Sequence, residues 1–103
     1  MPPAAVTVSD REMTAAISGD LDMAATFIVE PALERGLETP DLRRVTLDLS
    51  EVTFIDSVGL RVVVGLAGEL EARRTELEIV PGPPQVQRVF ESAGLAEALP
   101  FRP

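Results

Sequence analysis

Apolar and polar residues alternate most cleanly at Val45-Thr46-Leu47-Asp48-Leu49. A period of two marks a half-buried strand, and it predicts one over residues 43–49. A weaker alternation over 13–21 and a short apolar run over 6–9 lie on either side of Arg11 and Glu12. These two runs predict a hairpin turned at Arg11-Glu12, with the first run as an edge strand. A further strand is predicted over 75–80, stopped by Pro81-Gly82-Pro83-Pro84.

Between these runs the period changes to that of a helix. Residues 57–74 carry Leu60, Val63, Val64, Ala67 and Leu70 on one stripe, which predicts the core face. Val58, Val62 and Leu66 recur on the other side of the same helix. Either a neighbouring element covers them or they form an exposed apolar strip. Residues 85–93 place Val86, Val89, Phe90 and Ala93 at helical spacing, with Gly94 as C-terminal cap and Leu95 as the apolar residue after it. Asp22 suits the N-cap of a helix over 23–37, ended by Gly36 and Pro40. Pro31 either kinks that helix or marks its start, because an interior proline loses a hydrogen bond. The order β-β-α-β-α-β-α implies parallel crossovers after one initial hairpin. The expected architecture is one α/β domain over 1–103, with a mixed, mostly parallel sheet of four to five strands and three to four helices packed on it.

Composition narrows the chemistry. The 103 residues suffice for one core, and with 46% hydrophobic residues but only four Phe and no Tyr or Trp, aliphatic side chains must fill it. The net charge of −8 argues against nucleic acid and against an anionic membrane surface. Cys, His and Lys are all absent. Thiol and imidazole catalysis, zinc–thiolate sites and Schiff-base chemistry are therefore excluded, and no cofactor or metal is expected. No apolar run approaches the roughly 20 residues needed to span a bilayer, and the N-terminus lacks a signal-peptide pattern, so a cytoplasmic protein is expected.

The most informative segment is Thr53-Phe-Ile-Asp-Ser-Val-Gly-Leu60. Ser57 falls where a strand turns into a helix, next to Asp56 and just before Gly59. Such a hydroxyl is either a helix N-cap or a phosphate acceptor, and the two are compatible: Ser57 is the natural N-cap of this helix, and the helix terminus it caps would also hold its phosphate. A phosphate there would add roughly −1.5 to −2 charges to an acidic turn and repel a docked partner.

The run from Val45 through Asp56-Ser57-Val58-Gly59-Leu60 to Leu66 resembles the core signature of STAS domains. Within them it is most similar to bacterial anti-sigma factor antagonists. Ile17-Ser-Gly-Asp-Leu-Asp22 and the segment from Pro84 to Leu95 resemble two further family segments, so the likeness covers essentially the whole chain. The resemblance implies a partner switch without enzyme activity. The unphosphorylated form binds an anti-sigma factor that is also a serine kinase, and so releases a sigma factor. Phosphorylation ends binding, and a serine phosphatase resets it. By position the resemblance makes Ser57 the phosphoacceptor, Asp56 the flanking acid and Asp22 a neighbour in the docking surface. Val58, Gly59, Arg61 and Val62, beside Ser57 on the helix, are expected to complete the partner surface, with Val58 and Val62 supplying its apolar centre if their strip is exposed. The chain departs from the family pattern at Val58, where a second hydroxyl is frequent, and at Arg61, where a small residue is frequent. The alternative is a non-phosphorylated STAS subunit of a lipid or anion transport assembly, which needs no phosphoacceptor. A carboxylate site built from Asp20, Asp22, Asp48 and Asp56 is the weaker reading; turns, caps and docking charges explain those residues.

Overall fold

The first two strands, β1 (Ala4–Ser9) and β2 (Glu12–Leu21), are joined by Asp10 and Arg11, whose φ values of 52° and 65° are both positive. That is the backbone of a two-residue type I′ turn, whose twist matches the strands it joins. The turn thus sits one residue earlier than expected, and Glu12 begins β2, paired with Ser9. The computed structural model describes residues 2–103.

After β2 the chain forms α1 (Met23–Leu37), β3 (Arg44–Ile55), α2 (Ser57–Ala72), β4 (Glu76–Val80) and α3 (Pro84–Ser92). The strands lie in the order β1-β2-β3-β4, with β1 antiparallel to β2 and the other pairs parallel. The α/β class and the mixed sheet are as expected, with four strands and three helices. A single parallel bridge from Ile79 to Phe101 extends the sheet beyond β4.

β3 is the largest departure. It continues six residues past Leu49, because two register shifts in its pairing with β2 absorb the loss of strict alternation. Pro31 does not mark the start of α1, which begins eight residues earlier. Gly36 lies inside α1, packed near Met13 and Val6. α3 begins one residue earlier than expected, with Pro84 in its first turn. Gly94 takes the left-handed position after it, at φ 75°, while Leu95 N–H donates to Phe90 O and Gly94 N–H to Glu91 O. This is the Schellman closure that the Gly-Leu pair predicts.

One apolar cluster holds the layers together. Met13, Ala15 and Ile17 of β2 and Val45, Leu47 and Leu49 of β3 face Val29 and Leu33 of α1, Val63, Leu66 and Leu70 of α2, and Val86 and Phe90 of α3. On α2 one expectation fails: Val64 is exposed. Of the two readings for the second stripe, coverage by a neighbouring element holds for Leu66, which is buried. The buried stripe is Gly59, Val63, Leu66 and Leu70, rotated toward α1, because α1 packs against this flank and covers it. The other sheet face is polar. There Arg44 pairs with Glu76 and Glu78 at 3.1 and 3.4 Å, and Arg102 pairs with Glu78.

Candidate functional site

β2 and β3 are parallel neighbours, and their ends are in register, Leu21 beside Ile55. Each strand is followed by one aspartate and then a helix. The register therefore sets Asp22 and Asp56 side by side, with the N-termini of α1 and α2 pointing to the same end of the molecule. Openings at the carboxyl ends of parallel strands are where such folds place their sites.

The two aspartates have distinct duties. Asp22 caps α1 by accepting from Ala25 N–H at 2.9 Å. Asp56 caps α2: its Oδ1 accepts from Val58 N–H at 3.0 Å and Gly59 N–H at 2.9 Å. Its Oδ2 reaches across to accept from Met23 N–H at 3.2 Å. One carboxylate thus ties both helix starts together, at ends whose partial positive charge favours an anion. Asp56 N–H in turn donates to Leu21 O at 3.3 Å. Nearby, Thr53 Oγ1 donates to Asp20 Oδ1 at 2.8 Å and joins the strand ends.

The expectation that Ser57 caps α2 is therefore corrected. A carboxylate outcompetes a hydroxyl for two N–H donors, because charge-assisted bonds are roughly twice as strong. Ser57 becomes the first helical residue, exposed. Its hydroxyl is left outside the fold's own hydrogen bonds among the described residues. Gly59 is fixed by contact. A Cβ there would stand 2.1 Å from Leu21 O and 2.9 Å from Leu21 Cγ.

One turn further along α2, Arg61 is exposed and Val62 half-buried. Both line a groove between the helices that Glu30 of α1 closes from the other side. The groove continues over Leu33, Glu34, Gly65 and Leu66, with a volume of about 200 Å³. Val58 and Val62 are walls of this groove, and no open apolar strip runs along α2.

Exposed apolar side chains at this end include Phe54 of β3 and, on α1, Met23 at 60% and Phe27 at 76%. Met23 and Phe27 share a stripe with Glu30 by helical spacing, and Glu30 lines the groove with Val58. Sequence reasoning missed them. The clue was present, since Met23 and Phe27 lie off the Val29–Leu33 face that the Asp22 cap sets. Asp48, by contrast, faces away from the core and accepts from Ser50 N–H at 2.9 Å. Of the four aspartates considered as a carboxylate site, Asp22 and Asp56 cap helices, Asp20 accepts from Thr53 and Asp48 from Ser50 N–H, and no metal-holding cluster occurs among the described residues.

A family model described as STAS domain matches residues 3–103. The chain is a member of the STAS domain family. This STAS domain is 33% identical over 91 residues to BtrV of Bordetella bronchiseptica, named as an anti-sigma factor antagonist, covering 88% of this chain and 78% of that protein. It is 30% identical to an anti-sigma factor antagonist of Mycobacterium paratuberculosis, whose crystal structure superposes with a TM-score of 0.75 over 97% of this chain and 84% of that one. The fold also matches the antagonist SpoIIAA in its unphosphorylated form, with a TM-score of 0.79, 21% identity and coverage of 97% and 88%. SpoIIAA of Bacillus in its phosphorylated form gives 0.72, at 20% identity and coverage of 97% and 91%. Among the described residues no helix is long and apolar enough to cross a membrane.

Proposed function

We propose that this STAS domain is an anti-sigma factor antagonist switched by phosphorylation of Ser57. The observation that carries the reading is the division of labour at the turn. Asp56 does the capping, so the Ser57 hydroxyl is exposed and dispensable to the fold. The names of the relatives support the antagonist class over a transport-assembly subunit.

The partner reading follows from the surface. Met23 and Phe27 give an apolar centre, and Asp20, Asp22, Glu30 and Asp56 surround it with negative charge. Such a surface fits an apolar pocket rimmed by Arg or Lys, since complementary charge steers encounter while buried aromatics carry affinity. Val58, Gly59, Arg61 and Val62 complete the proposed contact beside Ser57. The kinase activity, ATP and the general base belong to the anti-sigma factor. It transfers the γ-phosphoryl of ATP to Ser57 Oγ. The bridging P–O bond breaks, an Oγ–P bond forms, the hydroxyl proton passes to the kinase base and ADP leaves. A phosphatase hydrolyses the ester and restores the hydroxyl. These steps place the protein in the cytoplasm with its partners.

The new phosphate cannot take the N–H groups of Val58 and Gly59, which Asp56 already holds. It stands beside carboxylates and adds roughly −1.5 to −2 charges where the partner docks. The switch thus acts by repulsion at the contact, with no refolding.

The test uses the cognate serine-kinase anti-sigma factor with Mg-ATP. Wild type should gain one phosphate, Ser57→Ala none, and Ser57→Asp should bind the kinase more weakly than wild type. A wild-type protein that stays unmodified, or a Ser57→Ala variant that is still phosphorylated, overturns the assignment.

A further inference from the structure

Arg61 stands alone. Of the nine arginines, Arg11, Arg43 and Arg44 lie at the opposite end of the strands, and Arg35, Arg73 and Arg74 at the C-terminal ends of α1 and α2. Several of these are already paired: Arg43 with Glu12 at 3.2 Å, Arg44 with Glu76, and Arg73 with Glu69 at 2.6 Å. Arg88 is on α3, and Arg102 pairs with Glu78. Arg61 is thus the one basic residue in the first turns of either helix. It makes no ion pair among the described residues, although Glu30 shares its groove.

Its position relative to Ser57 is set by the helix. The two are four residues apart, so they are neighbours one turn apart, with Cβ atoms about 5–6 Å from each other. A guanidinium on a long flexible stem spans that gap easily, and it binds phosphate through paired N–H donors. The helix terminus competes weakly, because Asp56 occupies the Val58 and Gly59 N–H groups. The other charges around this point are Asp56 on the turn, Asp22 at the start of α1 and Glu30 of α1. All are acidic and repel the phosphate.

We infer that Arg61 is an internal receiver for phosphate on Ser57, lying in the groove beside Glu30 in the unmodified protein and drawn to the phosphoserine in the modified one. This inference rests on Ser57 being the phosphoacceptor. It makes phosphorylation a change of two charges at the contact. The phosphate is added, and the one cation of the surface is withdrawn from the groove.

The test is independent of any kinase. Phosphoserine is installed at position 57 during synthesis by an expanded genetic code, and the phosphate is titrated by ³¹P NMR. A cation beside the phosphate favours its dianion and lowers its second pKa; the acidic neighbours raise it. An exposed charge pair of ordinary strength should place the wild-type value about 0.3–0.7 pH units below that of Arg61→Gln, with Arg61→Lys between them. Raising salt to about 1 M should shrink the difference, since the Debye length falls to about 3 Å. Equal titration of wild type and Arg61→Gln at low salt overturns the inference. Because Arg61 is exposed, Arg61→Gln should melt with wild type. Failure of kinase phosphorylation would sink the switch reading alone, since this titration reads the pairing directly.

Discussion

Replacing Gly59 by alanine tests the joint on which the site depends. In a helix interior alanine is favoured over glycine by about 1 kcal/mol, so propensity predicts a gain. The tertiary structure predicts a loss. The new methyl would stand 2.1 Å from Leu21 O and 2.9 Å from Leu21 Cγ, so the start of α2 must retreat from the end of β2 by about an ångström. That retreat stretches the Asp56 N–H bond to Leu21 O and the Met23 N–H bond to Asp56, already 3.3 and 3.2 Å long. Overpacking costs about 1–3 kcal/mol, and each weakened bond adds about 1. Less the helical gain, Gly59→Ala should destabilise by about 2–4 kcal/mol. Urea unfolding followed by far-UV dichroism reads this as a midpoint lower by roughly 2 M for a slope between 1 and 2 kcal/mol per M. Gly65 and Gly68 supply the control on the same helix. Beyond the adjoining backbone of the helix itself, no atom lies within 4 Å of a Cβ built at either. Gly65→Ala and Gly68→Ala should each stabilise by about 0.5–1 kcal/mol. If Gly59→Ala is as stable as Gly65→Ala, the close approach at Leu21 does not govern this joint and the reasoning fails.

Four further outcomes are expected. Asp56→Ala should cost about 2–3 kcal/mol in urea unfolding, since it strips the cap of α2 and the bond to Met23 together; a loss under 0.5 would show that the carboxylate does not join the helices. Ser57→Ala should leave the thermal midpoint within about 2 °C of wild type, because the cap is not its task, and a larger fall would return the capping role to Ser57. Phe27→Ala should weaken binding to the anti-sigma factor by tenfold or more, read by calorimetry, with dichroism unchanged; unaltered binding would remove α1 from the contact. Arg102 donates to Glu78 and, with the charges of Arg102 and Arg44 adding to this, holds the Glu78 carboxyl below its ordinary range. A depressed folded-state pKa contributes stability that is present above the unfolded pKa and lost as pH falls through the folded one. The protection factor of Arg102 N–H against hydrogen exchange, bonded to Ile79 O at 2.7 Å, should therefore fall further on acidification in wild type than in Glu78→Gln; identical profiles would refute the link.

The fold was readable because its cues are local. The alternation at Val45–Leu49, the Asp22 cap and the Gly94-Leu95 closure each depend on a few adjacent residues, and each appears as expected. The turn at Ser57 was half readable. Its place between strand and helix follows from the run Thr53–Leu60, but the choice of Asp56 as cap does not. Both residues are good caps by type. The register of β2 against β3 decides between them, because it brings Met23 N–H within reach of Asp56 and gives that carboxylate a third donor.

The same reason explains the faces of α2. Its period shows which residues share a stripe and cannot show which stripe meets α1. Val64 is left exposed and Leu66 is covered once α1 packs on that flank. Local order in the chain thus set the elements, the acidic turn and the single candidate hydroxyl. Only the packing of parallel neighbours decided that Asp56 holds the helices, that Ser57 is left exposed, and that the apolar surface beside it comes from Met23 and Phe27. Those are contacts between residues about 30 positions apart in the sequence, and no pattern within one element carries them.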